Sequence, residues 1–295
     1  MMEAHINSAP VGADLQSRHV AFASRRIFVN EAGSGYPVLM LHGGGPGANG
    51  LSNYGRNISP LAEHFRVLVP DMQGYGQSSK GLHRTDPFGD LADSMLGLMD
   101  ALDVPRAHIV GNSLGGACAL RMALERPDRV SALVLMGPGG VGTTRALPTK
   151  GLKLLFDYYE GDGPTLNKLR TFIREYLVYD SSSVPDELIR KRFEASLDPE
   201  VVAAPPLRRP RGIPNVRKID FTRDPRVRRC SAPTLVLWGA EDRVNRPSGG
   251  EALRSRMPNC DLYLFSRTGH WVQWEREHEF NHATCAFLER HTPTH

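Results

Sequence analysis

Apolar residues in this chain gather in short runs, and helical spacing fills most of the intervals between them. Val38–Leu41, Arg66–Pro70, Ser131–Met136, Thr234–Trp238 and Asp261–Phe265 read as strands, and Ile109-Val110 as the end of another. His19–Asn30 alternates apolar and polar positions and, with Arg26–Val29, predicts an antiparallel hairpin ahead of them. Leu51–Phe65, Phe88–Leu102, Ala117–Ala123, a stretch around Gly249–Met257 and one around Glu277–Glu289 carry helical spacing. In Phe88–Leu102 the apolar stripe is Leu91, Met95, Leu98 and Leu102. Strands alternating with helices at this interval predict an α/β fold, a mostly parallel eight-stranded sheet with helices on both faces.

The rhythm breaks after Gly137-Pro138-Gly139-Gly140. Gly151–Tyr159, Leu166–Tyr176 and Asp186–Phe193 are helical, no good strand accompanies them, and the Pro-rich run PPLRRPRGIP ends the region. The expected organisation is a core over residues 1–145, an inserted helical lid over 146–212, and the rest of the core over 213–295. Residues 1–16 are polar and expected to be mobile at their start, and no internal repeat is visible.

Composition narrows the class of partner. At 295 residues, 40% hydrophobic and 23% charged, the chain has the make-up of a soluble globular protein with an ample core. A net charge of +4 is mild, and the basic clusters Arg208-Arg209-Pro210-Arg211 and Arg223–Arg229 lack interleaved aromatics. They read as solvated loop charge, so a nucleic-acid partner is not expected. Cys118, Cys230, Cys260 and Cys285 are scattered, as in a protein with reduced thiols. The first residues lack a basic region followed by an apolar core, and no apolar run is long enough to span a bilayer. A cytoplasmic protein without membrane contact is the expectation.

The densest chemistry lies in Gly111-Asn112-Ser113-Leu114-Gly115, between a strand and a helix. This G-x-S-x-G spacing is that of a nucleophile elbow. A serine on so sharp a turn has a strained backbone, so small residues stand two before and two after it. The turn lifts the Ser113 hydroxyl to the sheet edge and aims the Leu114 amide at an oxyanion forming there. A serine nucleophile needs a base and an acid to orient it, in the chain order Ser, acid, His of an α/β-hydrolase sheet. Asp242 follows strand Thr234–Trp238, and His270 follows strand Asp261–Phe265. Glu241 is the local rival for the acid, whereas the strand after the elbow ends in Gly137-Pro138 with no carboxylate. Gly43–Gly45, after strand Val38–Leu41, is the expected source of a second oxyanion amide, with Gly44 favoured. His42 reads as a residue that stabilises its turn.

Two further motifs point elsewhere. Gly45-Pro46-Gly47-Ala48-Asn49-Gly50 matches G-x-G-x-x-G, with Asp71 at the end of the next strand. Pro46, however, removes an amide from a phosphate cradle, and the following helix signal is weak. His278-Glu279-Phe280-Asn281-His282 matches H-E-x-x-H inside a strongly charged run, which reads as a solvated helix face, so no metal site is expected.

The runs HGGGPGANGLSNYGRN (His42–Asn57), GNSLGGACAL around Ser113, LMGPGG, WGAEDRVN and GHWVQWE resemble the meta-cleavage product hydrolases. These are carbon–carbon bond hydrolases of bacterial aromatic degradation, within the α/β-hydrolase superfamily. The resemblance spans nearly the whole chain and is weakest in ASLDPEVVAAPPLRRPRG. It implies a hydrolase acting on carbon–carbon bonds in ketonic substances, of the 2,6-dioxo-6-phenylhexa-3-enoate hydrolase type. The substrate it implies is a 2-hydroxy-6-oxo-hexa-2,4-dienoate bearing an aryl or alkyl group on its ketone, such as the 6-phenyl compound. It further implies ketonisation, then attack by Ser113 activated by His270, with no metal or organic cofactor, and a homo-oligomer. By position in the family's motifs, Arg192 in KRFEAS would receive the dienoate carboxylate. Asn112 and Trp271 would lie near the enol end, Asn53 would be a polar pocket residue, and Gly45 and Leu177 would also line the pocket. Leu177 stands where some relatives carry an aromatic, and Arg192-Phe193-Glu194 replaces the family's RWE, so the acyl group is left open. A carboxylesterase or lactonase would use the same triad without needing Arg192 or the GHW run. A hydrolase-fold ligand receptor would not need the complete triad.

Overall fold

The computed structural model describes residues 14–83, 85–143, 147–208 and 216–293. Eight strands form one sheet: β1 Gln16–Phe22, β2 Arg25–Ala32, β3 Pro37–Leu41, β4 Arg66–Pro70, β5 Ala107–Asn112, β6 Val130–Met136, β7 Thr234–Gly239 and β8 Cys260–Phe265. Their spatial order is β1-β2-β4-β3-β5-β6-β7-β8. β1 and β2 are an antiparallel hairpin in which Phe22 faces Arg25 across the turn, and β2 runs antiparallel to β4. All other neighbours are parallel. This is the expected sheet. β5, β6 and β7 are buried at every residue, which is why they read as continuous apolar runs while β1 keeps polar positions.

Helices cover both faces. One core layer includes side chains of helices Pro87–Ala101 and Leu114–Glu125, and the other includes side chains from Gly50–Tyr54, Ile58–Ala62 and Glu277–Arg290. A single helix over Leu51–Phe65 does not form. The stretch is two short helices, Gly50–Tyr54 and Ile58–Ala62, parted at Gly55–Asn57. Gly55 is a poor helix former, and Asn57 is drawn out of register by donating to Gln273 O (3.1 Å) and Asn281 Oδ1 (2.8 Å).

Between β6 and β7 the described elements are all helical; the first of them are Lys150–Phe156, Leu166–Phe172 continuing as a wider turn to Leu177, Asp186–Ser196 and Pro199–Ala203. Of these, all but Pro199–Ala203 contribute to one apolar cluster, which Val244 and Trp271 of the sheet loops complete. The expected segment boundaries at 145/146 and 212/213 lie outside the described residues, as do residues 1–13 and Arg209-Pro210-Arg211.

The chain leaves β3 toward β4 on one side, and β5 lies on the other side of β3. Loops at the carboxyl ends of β3 and β5 therefore diverge and leave a crevice between them, the usual place for a ligand in an open α/β sheet.

Candidate active site

Ser113 sits between β5 and helix Leu114–Glu125 at φ 53° and ψ −109°, a conformation L-residues avoid. Holding it costs about 1–3 kcal/mol, which the surroundings supply. Ser113 N donates to Met136 O (2.8 Å), and its carbonyl accepts from Ala117 N (3.0 Å) and Gly139 N (2.8 Å). A side chain at Gly115 would overlap the Leu41 carbonyl, and a Cβ at Gly111 would lie 2.5 Å from Gly115 O. The small residues flanking the serine are thus required by backbone crossing, as the motif implies.

His270 Nδ1 donates to Asp242 Oδ2 at 2.7 Å, with both side chains buried. The other carboxylate oxygen, Oδ1, accepts from Val244 N (2.8 Å) and Asn245 N (2.9 Å), and Trp238 Nε1 donates to Oδ2 (2.9 Å). This set fixes Asp242 as an acceptor and leaves His270 Nε2 as the basic nitrogen. Nε2 is buried and has no hydrogen-bond partner among the described residues. Ser113 and His270 line the same cavity of about 280 Å³. Glu241 is elsewhere: its Oε2 accepts from Thr268 N (2.9 Å) and ties the β8 loop.

Gly43, Gly44 and Gly45 line that cavity beside Ser113. The amides of Gly44 and Leu114 donate to no described residue, and Leu114 opens its helix, where the dipole adds positive charge. Tyr75 OH donates to Gly44 O (3.1 Å), which holds the peptide in place. His42 does stabilise the turn: Nδ1 donates to Gly43 O (2.8 Å) and Nε2 accepts from Met72 N (2.9 Å). Burial pushes its imidazole down to about 4, so it is neutral at pH 7.

Among the described residues, the cavity holds one charged side chain of fixed sign. Arg192, on helix Asp186–Ser196, is 3% exposed. Its Nε and Nη2 both donate to Pro46 O (3.2 and 3.1 Å), and its Cζ lies 5.3 Å from the Trp271 ring centroid. Burial draws its guanidinium down to about 10, and it remains cationic at pH 7. No described carboxylate forms an ion pair with it. A Cβ at Gly45 would lie 2.5 Å from Nη2, so that glycine makes room for the cation. Gly47 and Gly50 of the G-x-G-x-x-G match have packing roles. Gly47 (φ +62°) lies where any side chain would strike the Arg192 carbonyl, and Gly50 N donates to Asp71 Oδ1 (2.9 Å).

Asn112 donates to Met136 O and His270 O (3.3 Å each), and Asn53 Oδ1 accepts from Gln273 Nε2 (2.6 Å). Both Asn residues line the cavity, as do Leu177 and Trp271. Leu177 also binds through its backbone, its carbonyl accepting from His270 N (2.8 Å). Trp271 stacks on Trp274 at 5.0 Å between centroids. Every sequence-predicted site residue except Leu114 lines the cavity or is hydrogen-bonded to a residue that does; Leu114 supplies the amide beside it. Sequence reading missed Trp238, Asn245 and Glu275, which hold the site from behind. His278, Glu279 and His282 of H-E-x-x-H are all solvent-exposed on their helix. Among the described residues no helix is long and apolar enough to cross a membrane.

Comparison with known proteins gives consistent relatives. A family model described as alpha/beta hydrolase fold matches residues 36–277. The 2-hydroxy-6-oxo-6-phenylhexa-2,4-dienoate hydrolase of Burkholderia cepacia is 40% identical over 270 residues, 89% of this chain and 91% of that one. The 2-hydroxy-6-oxononadienedioate/2-hydroxy-6-oxononatrienedioate hydrolase of Comamonas testosteroni is 40% identical over 273 residues, with the same 89% and 91% coverage. Among solved structures, a variant of the meta-cleavage product hydrolase of Pseudomonas fluorescens, complexed with acetates, superposes with a TM-score of 0.83. It is 31% identical, over 93% of this chain and 98% of that one. This chain belongs to the α/β-hydrolase fold family and, within it, to the meta-cleavage product hydrolases.

Proposed function

We propose that this protein hydrolyses a carbon–carbon bond of 2-hydroxy-6-oxo-hexa-2,4-dienoates that carry an aryl or alkyl group on the ketone, such as the 6-phenyl compound. The products are a carboxylic acid and 2-hydroxypenta-2,4-dienoate. The observation that carries this reading is the shared cavity, which a buried cation with no described carboxylate partner, Arg192, lines together with a serine elbow and the histidine of a His–Asp pair. An esterase needs only the second half of that arrangement. The activities named for relatives at 40% identity support the same chemistry.

In this mechanism Arg192 takes the dienoate carboxylate through charge-assisted hydrogen bonds. Asn53, Asn112 and Trp271 hold the enol end, and Gly45 and Leu177 shape the pocket. The dienol loses its hydroxyl proton and gains one at C5, giving the 2,6-diketone. His270 Nε2 removes the Ser113 proton as Oγ attacks the C6 ketone, and Asp242 steadies the resulting imidazolium. The oxyanion is received by the amides of Gly44 and Leu114. As the carbonyl re-forms, the C5–C6 bond breaks, and its electron pair is delocalised through the conjugated chain onto the C2 oxygen. Protonation there by the His270 imidazolium releases 2-hydroxypenta-2,4-dienoate, restores neutral His270 and leaves acyl-Ser113. His270 then deprotonates water, which frees the acid and regenerates Ser113. Attack, carbon–carbon cleavage and deacylation use Ser113, His270, Asp242 and water, so those steps call for no metal or organic cofactor.

The described helices between Lys150 and Ala203 act as the lid over this cavity, and the protein works as a cytoplasmic homo-oligomer. The test is product identity. Incubation with the 6-phenyl substrate should yield benzoate and 2-hydroxypenta-2,4-dienoate in equal amounts. Rapid hydrolysis of simple aryl esters with the dienoate left intact would replace this reading with a carboxylesterase.

A further inference from the structure

Glu275 is the third carboxylate that the fold brings to the His270 loop, after Asp242 and Glu241, and nothing in the mechanism above uses it. It lies five residues after His270, at the end of the short helix Val272–Glu275, and is largely shielded from solvent. Its oxygens face three backbone donors. Oε2 accepts from Gly269 N (2.7 Å), the amide immediately before His270, and Oε1 accepts from Tyr179 N (2.7 Å) and Asp180 N (3.1 Å) of the helical segment. The next amide, His270 N, donates to Leu177 O. Two successive peptides leading to the imidazole are thus pinned, one by Glu275 and one by the segment that Glu275 also holds. A Cβ at Gly269 would lie 2.8 Å from Leu177 O and from Tyr179 N, so the two backbones touch here without side chains between them.

We propose that Glu275 is a positioning residue for His270, locking the catalytic loop and the helical segment into one rigid unit. The inference rests on His270 being the base proposed above. Three donors converge on one carboxylate, a demand that a neutral amide cannot meet. Burial raises the pKa of this carboxyl while the three amides pull the other way. In Glu275→Gln, one face of the side chain presents NH₂ to an N–H, leaving either Gly269 or the Tyr179-Asp180 pair without an acceptor. Displacement of a catalytic group by about 1 Å is enough to cost on the order of a hundredfold in rate.

The experiment compares wild type, Glu275→Gln, Glu275→Asp and Arg276→Ala. Arg276 is the control, because it binds the same loop at Thr268 Oγ1 (2.9 Å) and Ser266 O (2.7 Å) but not at Gly269. Each variant is assayed for kcat and KM, and its strongly deshielded His270 Nδ1–H proton signal is recorded by NMR without substrate. Glu275→Gln should lose about tenfold or more in kcat with KM within about threefold, and its Nδ1–H signal should shift or broaden. Glu275→Asp, which keeps the charge, should fall between, and Arg276→Ala should keep both the rate and the signal. A folded Glu275→Gln with wild-type kcat and signal overturns the proposal, and so does an equal loss in Arg276→Ala. Should Glu275→Gln not fold, wild-type kcat and signal in Glu275→Asp overturn it instead. Absence of turnover in the wild type would count against the proposed reaction, while the NMR comparison still tests Glu275.

Discussion

Replacement of Arg192 separates a ligand-binding cation from a structural one. Burial lowers its pKa from 12.5 to about 10. At about 1.4 kcal/mol per pK unit, keeping the charge costs the native state about 3 kcal/mol. The two bonds to Pro46 O return about 1–2 kcal/mol, and no described carboxylate offsets the remainder. Arg192→Met removes the charge and both bonds but keeps most of the apolar stem. Stability should therefore stay within about 2 kcal/mol of wild type, with Tm unchanged to within about 4 °C or raised. Function should respond differently. Truncating one partner of a buried, hydrogen-bonded charge pair costs about 2–5 kcal/mol, so kcat/KM should fall by about thirtyfold to several thousandfold, mainly through KM. The assay is initial-rate kinetics by loss of dienoate absorbance, with thermal unfolding of the same preparations. A Tm drop of about 8 °C or more with kcat/KM within about threefold would refute the reasoning, and Arg192 would then serve only to anchor its helix.

Asp242→Asn preserves the shape of the site but exchanges an acceptor for a donor opposite His270 Nδ1, so kcat should fall by about 10³–10⁴-fold with KM little changed; steady-state kinetics checks this. Gly47→Ala places a side chain at φ +62° against the Arg192 carbonyl, and the urea midpoint should drop by the equivalent of about 2 kcal/mol or more. His42 sets an acid limit on stability. Its folded pKa, pushed down to about 4 by burial, lies below the unfolded value of 6.5, so the unfolded chain binds the proton first. Stability is therefore full above about pH 6.5 and declines by up to about 3 kcal/mol toward pH 4. His108, also lowered to about 4 by burial, acts in the same direction. Urea titrations at pH 7.5 and 5 should show the decline, and equal midpoints would contradict it.

The positions of Ser113, Asp242 and His270, which the structure brings to one site, were legible because each follows a strand in the sequence pattern, and chemistry then leaves few candidates. The sheet was legible for the same reason, since buried parallel strands write themselves as uninterrupted apolar runs. The helix over Leu51–Phe65 failed because its apolar period continues across Gly55–Asn57, while Asn57 finds partners more than two hundred residues away. No local pattern carries that. Trp238, Asn245 and Glu275 were missed for a related reason. Trp238 reads as one more apolar residue of β7, yet its indole N–H holds Asp242, and Glu275 acts only on backbone amides, which leave no mark on side-chain spacing. The G-x-G-x-x-G match misleads because glycine serves a close backbone approach equally well whether the neighbour is a phosphate or, as here, the Arg192 carbonyl.

The central claim is carbon–carbon hydrolysis by Ser113, and rapid mixing of the 6-phenyl dienoate with wild type and Ser113→Ala, with a simple aryl ester run in parallel, tests it most directly. The wild type should bleach the visible absorbance within the turnover time and outpace its own ester hydrolysis. Ser113→Ala should bind the substrate, with a change in its spectrum, and release no benzoate. Bleaching with benzoate release by Ser113→Ala at near wild-type rate would contradict the nucleophile assignment, and inert wild type with brisk ester hydrolysis would contradict the reaction itself.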